Sequence, residues 1–234
     1  MSWASAAGEA RSIDWAPLWL SLRIASVSTV VTLVAGTACA LALSWRRLPA
    51  RDLVDAIISA PMVLPPTVLG YYLLVVLGRG SALGRAWERA VGAPIVFTFT
   101  GAVIAASVGS LPLVVRSIRL GIDAVDPTLL AAARTLGARP ARVIATVVLP
   151  LAAPGIVAGA MLGFARALGD YGATQMVAGA RIAGTPTAAI FVMDELLANH
   201  DDQVLSMSLA TTVVGVSLLY FANRLTRRLR HARA

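Results

Sequence analysis

Five long uncharged runs constrain the fold of this chain more than any other feature. They cover residues 24–45, 56–77, 94–115, 143–165 and 204–222, and each is bounded by charged residues or turn formers. A helix needs about 20 mainly apolar residues to cross the hydrocarbon core of a bilayer. The sequence therefore predicts an all-α integral membrane protein with five transmembrane helices.

A sixth apolar run covers residues 182–193. About a dozen residues at a rise of roughly 1.5 Å each cross only part of the hydrocarbon core. This run is predicted to form a re-entrant or surface helix, so the sequence leaves five or six spans open.

The composition agrees with a membrane location. Of the 234 residues, 58% are hydrophobic and 14% are charged, and the mean hydropathy is +0.77. Soluble domains carry about 25% charged residues. One compact core cannot bury this much apolar surface, so the surplus is expected to contact lipid.

Missing residue types exclude several kinds of chemistry. All 20 basic residues are arginine, so the chain has no lysine for a Walker A phosphate loop or a Schiff base. Cys39, His200 and His231 are too few and too far apart to form a zinc site. We expect no cofactor in this chain. The net charge of +8 comes from arginine clusters between apolar runs, which favours membrane orientation over nucleic-acid binding.

The arginines in the connecting loops predict the orientation, because basic loops stay cytoplasmic. With the N-terminus outside, thirteen arginines fall in inner loops and six in outer loops. The inner set is Arg46, Arg47, Arg51, Arg116, Arg119, Arg134, Arg139, Arg142, Arg224, Arg227, Arg228, Arg230 and Arg233; the outer set is Arg11, Arg79, Arg85, Arg89, Arg166 and Arg181. Arg23, at the head of the first span, is predicted to snorkel to the headgroups.

The same pattern predicts the domain organisation. Residues 1–17 lack the basic start and apolar stretch of a cleaved signal, and are expected to form an extracytoplasmic segment. Residues 18–224 form one membrane domain, and residues 225–234 form a basic cytoplasmic tail with the C-terminus inside.

A cytoplasmic segment, residues 123–150, carries its own helix signals. Asp126 and Pro127 are typical of an N-cap followed by the first turn of a helix, and Gly137 suits the left-handed conformation that ends a helix. Pro140 can then begin a second short helix that runs into the fourth span. One helical face holds Leu129, Ala132, Ala133 and Leu136. From these residues alone, the segment is either an amphipathic linker on the inner membrane surface or a helix that docks in a partner's groove.

This segment resembles the cytoplasmic signature of bacterial ABC-importer permeases. The signature reads Glu-Ala-Ala, three residues, Gly, nine residues, an aliphatic residue, one residue, then Leu-Pro. Ala132, Ala133, Gly137, Val147, Leu149 and Pro150 match it in register, whereas Ala131 stands where the family commonly has glutamate. The resemblance implies that the segment is a coupling helix whose contacts with an ATPase involve Leu129, Ala131, Ala132, Ala133, Leu136, Gly137, Leu149 and Pro150.

Residues 61–81 and 163–177 resemble molybdate permeases of oxyanion importers, and the likeness extends over residues 18–223. It implies a homodimer in the bacterial inner membrane with its pore at the dimer axis. It also implies a pair of cytoplasmic ATPase subunits, which bind ATP and Mg, and an extracytoplasmic binding protein that delivers molybdate. Tungstate and sulfate remain alternative cargoes, because tetrahedral dianions of similar size need similar pores.

Two groups of residues are candidates for the pore. Pro65 and Pro66 interrupt the second run and bend it, either as a packing kink or at the pathway. Arg166 and Asp170 are four residues apart and can pair, either as a cap of the span at the outer interface or as an outer gate. The resemblance favours pore lining or gate support for Pro65, Pro66, Thr67 and Tyr71. For the second group, the charge spacing supports the hypothesis of an outer gate, in which Arg166 attracts an oxyanion and Asp170 limits its hold. The candidate residues of this gate are Phe164, Arg166, Asp170, Tyr171 and Gly172.

Two other classes fit the sequence poorly. A membrane-embedded aspartyl protease needs two facing carboxylates, and no acidic residue lies within the five runs. A secondary transporter is typically built from repeated halves with charged residues at mid-membrane, and neither feature is visible in the sequence.

Overall fold

The computed structural model describes residues 14–44 and 50–231, and for Ala222 and residues 225–231 it describes the backbone alone. In these ranges the chain is helical apart from turns and one isolated bridge between Ile182 and Thr185. The helices, in chain order, are α1 (Ala16–Ser44), α2 (Arg51–Val63), α3 (Pro66–Leu77), α4 (Ala82–Val91), α5 (Phe99–Asp123), α6 (Pro127–Thr135), α7 (Pro140–Val143), α8 (Leu149–Leu168), α9 (Gly172–Ala178), α10 (Ala188–Leu197) and α11 (Asp201–His231).

Four stretches are long and apolar enough to cross a membrane. They are α1, α5, the stretch Pro140–Leu168, and Asp201–Phe221 within α11. A π-helical turn, Ile144–Val148, joins α7 to α8 without a break. The predicted all-α membrane fold is confirmed, although α1 begins eight residues before the uncharged run and α5 continues eight residues beyond it.

The second predicted span is not one helix. α2 and α3 meet at an angle of 117°, with Leu64 and Pro65 in extended conformations between them. Two consecutive prolines remove two backbone donors, and a proline disfavours the helical conformation in the residue before it. The run 56–77 is therefore divided between two helices and does not form one continuous helix. If α2 and α3 together are counted as one span, they provide the fifth.

The sixth apolar run is also divided. Ile182 lies in a tight turn, where its N–H donates to Thr185 O at 2.8 Å, and α10 begins only at Ala188. Phe191 of α10 is buried beside Met207 of α11. Residues 182–193 are therefore part turn and part short helix, and not a single re-entrant or surface helix.

Helices α1, α5 and α8 pack into the centre of the protein through small residues. A Cβ built on Gly155 of α8 would lie 2.8 Å from Gly121 Cα of α5, and one built on Gly36 of α1 would lie 2.9 Å from Val114 Cγ1. Ser117 Oγ of α5 donates to Gly155 O at 3.0 Å. Close backbone approach thus replaces large side chains in this interface.

Some predictions fall outside the described residues. These concern residues 1–13 of the N-terminal segment, Arg11, Trp45, Arg46, Arg47, and Arg233 in the tail. Helix α11 itself extends to His231, well into the predicted tail.

Candidate translocation and coupling sites

An ion pair joins Arg166, in the last turn of α8, to Asp170, which follows the end of that helix. Arg166 Nη1 lies 2.9 Å from Asp170 Oδ1, and the two side chains are 31% and 2% exposed. Asp170 Oδ2 accepts two further hydrogen bonds, from the N–H and from Oγ1 of Thr174, at 2.9 and 2.8 Å. Both carboxylate oxygens are therefore occupied, as a buried charge requires.

The Arg166 side chain lies against the middle of helix α5. Arg166 Nη2 is 3.7 Å from the position of a Cβ on Gly109, which is the eleventh residue of α5. Ten residues of helix span about 15 Å, roughly half of the 30 Å hydrocarbon core. Helix α8 ends at Leu168, and the Arg166 guanidinium rests against the middle of α5. An ion pair packed against the middle of an apolar helix is a candidate functional site.

The two predicted pore segments meet at the same place. A Cβ on Gly172 would lie 3.1 Å from Pro66 Cβ and 3.2 Å from Thr67 N, and one on Gly70 would lie 2.9 Å from Ala173 Cα. Helices α3 and α9 both begin here, and each directs the positive end of its backbone dipole toward this junction. Arg166 is attached to the same junction through Asp170.

The remaining predicted pore residues occupy different environments. Pro65, Pro66 and Thr67 are exposed, and Tyr71 is 53% exposed. Phe164 is buried in a cluster with Ile24 of α1 and Ala106 of α5, so its side chain supports the centre. Tyr171 is half-buried at the N-cap of α9.

Thr174 was not predicted. The sequence shows only that a hydroxyl-bearing residue follows Asp170 by four positions. This spacing indicates a hydrogen bond to Asp170 only when it is known that α9 begins at Gly172. Within residues 14–44 and 50–231, no group of three or more His, Cys, Asp or Glu residues is arranged to hold a metal ion.

The coupling segment has the predicted local structure. Asp126 Oδ1 accepts the backbone N–H of Thr128 at 2.8 Å, and this hydrogen bond lowers the pKa of the Asp126 carboxyl below its ordinary value of 3.8. Gly137 has a φ of +76°, and its N–H donates to Arg134 O at 3.0 Å. Helix α7 then begins at Pro140. The cap, the left-handed stop and the second helix follow the sequence signals.

The apolar residues of α6 face outward. None of its nine residues is buried; Leu129 is 47% exposed, and Leu136, just after the helix, is 87% exposed. Ala131 and Ala132 are exposed, Ala133 is half-buried, and Leu149 is half-buried where α8 begins. An apolar helix surface with no cover within the described chain is suited to contact with another protein or with a membrane.

Comparison with known proteins relates this chain to transport permeases. Residues 32–231 match the family described as binding-protein-dependent transport system inner membrane component. The molybdenum transport system permease protein ModB of Escherichia coli K12 is 44% identical over 161 residues, which cover 69% of this chain and 70% of that protein. The ModB protein of Mycobacterium tuberculosis is 35% identical over 215 residues, which cover 86% of this chain and 81% of that protein.

Solved structures show the same fold. A chain of the MetNI methionine ABC transporter, in an inward-facing conformation, aligns with a TM-score of 0.74 over 98% of this chain and 99% of its own length, at 18% identity. A chain of a bacterial ABC transporter that imports alginate aligns with a TM-score of 0.61 at 13% identity. At such low identity, these likenesses concern the fold alone.

Proposed function

We propose, from the premise that this chain belongs to the family of binding-protein-dependent transport system inner membrane components, that it is the permease subunit of an ATP-driven importer of molybdate. Family membership makes it a multi-pass transport component of the inner membrane. The cargo is the proposal, and it rests on 35–44% identity to molybdenum permeases over more than two thirds of the chain. A tungstate or sulfate permease is the alternative.

A separate pair of ATPase subunits is proposed to drive transport. The chain lacks lysine, so it has no Walker A loop to hold ATP and Mg itself. The outward-facing apolar residues of α6, and the signature that ends at Pro150, support this segment as the ATPase contact. A second copy of the chain would complete the pore, and an extracytoplasmic oxyanion-binding protein would deliver the cargo.

The orientation is proposed from charge. With the N-terminus outside, the coupling segment and the basic residues 225–234 share the cytoplasmic side, where the ATPase would bind. The opposite side then carries α4, α10 and the turn before α10. Residues 18–224 are proposed as the permease domain.

Coupling is proposed to run from α6 to the ion pair. ATP binding would draw the two ATPase subunits together, and α6 and α7 would follow as rigid bodies. Helix α7 continues through the π-helical turn into α8, whose last turn carries Arg166. A movement at the ATPase surface would thereby reach the middle of the membrane along one continuous helix.

Arg166 and Asp170 are proposed to form the gate that the anion passes. An oxyanion entering the junction would compete with Asp170 for the guanidinium. Asp170 would keep its two hydrogen bonds from Thr174 during the exchange, so its charge would not be left without partners. The first turns of α3 and α9 would add positive potential. Asp170 would shorten the time for which the anion stays bound, because its carboxylate competes with the anion for the Arg166 guanidinium.

Uptake of labelled molybdate tests the cargo. A bacterial strain that lacks its own molybdate permease would express this chain together with its ATPase and binding protein, with excess tungstate or sulfate as separate competitors. We expect uptake that requires the chain and that tungstate reduces while sulfate does not. Uptake that is unchanged by the chain would refute an oxyanion importer, and competition by sulfate would favour the alternative cargo.

A further inference from the structure

A groove lies beside Arg23 on the side of the molecule where α1 begins. Its volume is about 310 Å³, and it is lined mainly by apolar groups of Trp19, Leu20, Phe99 and Ile182 together with Arg23. The Arg23 guanidinium carbon lies 5.6 Å from the centre of the Phe99 ring. The groove therefore combines a long apolar wall with one cation.

Local hydrogen bonds hold the walls of the groove in place. Ser21 Oγ of α1 accepts the N–H of Ala188 at 2.8 Å, which joins the start of α10 to α1. Ile182 and Thr185 exchange backbone hydrogen bonds of 2.8 and 3.1 Å, which close the turn that forms one side. The groove is thus preformed by packed elements.

Within the part of the chain that the structure describes, no acidic group balances the charge of Arg23. Among residues 14–44 and 50–231, no side chain or backbone oxygen forms an ion pair or hydrogen bond with its guanidinium, and its contact is with the Phe99 ring. Phe99 is also the first residue of α5, so the positive end of a 25-residue helix lies nearby. Both features favour an anion at this position.

The height of the groove in the membrane suggests the source of that anion. Trp19 is 65% exposed and precedes Arg23 by about one turn of α1. Trp15 is 49% exposed and lies just before α1, where its carbonyl oxygen accepts the Trp19 N–H at 3.1 Å. Exposed tryptophans mark the level of the lipid headgroups. A phosphodiester at Arg23 would have its acyl chains beside the apolar wall.

We propose that this groove is a binding site for one anionic phospholipid, whose phosphodiester pairs with Arg23 and whose acyl chain lies against Trp19, Leu20 and Ile182. Under the proposed orientation, the lipid belongs to the outer leaflet. The site does not depend on the identity of the cargo.

Quenching of Trp19 fluorescence by brominated lipids tests the proposal. The full chain, with its other four tryptophans replaced by phenylalanine, is reconstituted in mixtures that contain brominated phosphatidylglycerol or brominated phosphatidylcholine. We expect an approximately fivefold preference for phosphatidylglycerol, the effect of about one charge near a membrane surface. Arg23→Gln should abolish the preference, and Arg23→Lys should retain it.

Two more variants keep the test decisive. Arg85→Gln removes an exposed arginine that already donates to Gly80 O, and it should leave the preference unchanged. Ala16→Leu narrows the groove while Arg23 remains, and it should weaken the preference even if Arg23→Gln fails to fold.

Three results would overturn the proposal. The first is an equal lipid preference in the parent and in a folded Arg23→Gln variant. The second is loss of the preference on addition of excess molybdate or inorganic phosphate, which would identify a site for soluble oxyanions. The third is the absence of Trp19 quenching by either lipid, which would show that a second copy or another protein covers the groove.

Discussion

The helical centre, formed by α1, α5 and α8, and helix α6 are stabilised in different ways. Helix α5 buries twelve of its 25 residues, whereas α6 buries none of its nine. The centre depends on close backbone packing, as between Gly121 and Gly155. Helix α6 depends on its ends, where Asp126 caps the first turn and Gly137 stops the last. A region specified by its own packing can act as a scaffold, and a region specified only by caps can present its side chains to a partner.

The largest expected effect is a loss of stability from Gly155→Leu in the centre. A Cβ at this position would lie 2.8 Å from Gly121 Cα and from Ser117 O, both backbone atoms of α5. Overpacking of this kind costs about 1–3 kcal/mol or more. Thermal melting in detergent should show a clearly lower transition. Gly215→Leu in α11 is the matched control, because nothing lies within 4 Å of its Cβ position. Equal melting of both variants would contradict the packing argument.

A smaller effect on stability, with a large effect on coupling, is expected for Gly137→Val. The residue has a φ of +76°, which costs a β-branched side chain about 1–2 kcal/mol, while no atom lies within 4 Å of its Cβ position. The centre should melt normally, but the proposed ATPase partner should dissociate, or its ATP hydrolysis should no longer be stimulated by the cargo. Gly137→Asn, which tolerates this conformation, should retain coupling. Normal coupling in a complex that carries the valine substitution would exclude the docking role of this turn.

The sequence predicted α6 because its signals are local. An Asp-Pro start and a glycine stop act within a few residues, and the structure has both. A bend at Pro65 and Pro66 was predicted for the same reason. The division into two helices at an angle of 117° was not, because it depends on how α3 packs against α9.

Other features were missed because they depend on packing or do not resemble a span. Helix α4 has clear local signals, a Ser81 cap and a Gly92 stop, but it contains Arg85, Glu88 and Arg89 and therefore lies outside any uncharged run. The contact between Arg166 and Gly109 depends on how α8 packs against α5, and no local pattern contains that information. Helix α9, with seven residues, is too short for a helical period to be visible.

The smallest expected effect concerns the cap of α6 and its pH dependence. The pKa of Asp126 is lowered because its carboxylate accepts the Thr128 N–H. Its contribution to stability is therefore present above the unfolded pKa, near 3.8, and is lost as the pH falls through the lower folded value. At neutral pH, Asp126→Ala should speed amide hydrogen exchange in the first turn of α6 and leave α5 unchanged, while Asp126→Asn should behave like the parent. Unchanged exchange in the alanine variant would contradict the cap.

Transport by reconstituted complexes with Arg166→Gln, Asp170→Asn and the double substitution tests the central claim most directly. The claim is that Arg166 binds the transported anion and does not merely neutralise the charge of Asp170. Neutralising Arg166 should reduce molybdate transport about tenfold or more, the effect of one lost charged hydrogen bond, while the ATPase remains bound. The double variant removes the unpaired buried carboxylate, so it should regain stability without regaining transport. Recovery of transport in the double variant would show that the pair is only structural.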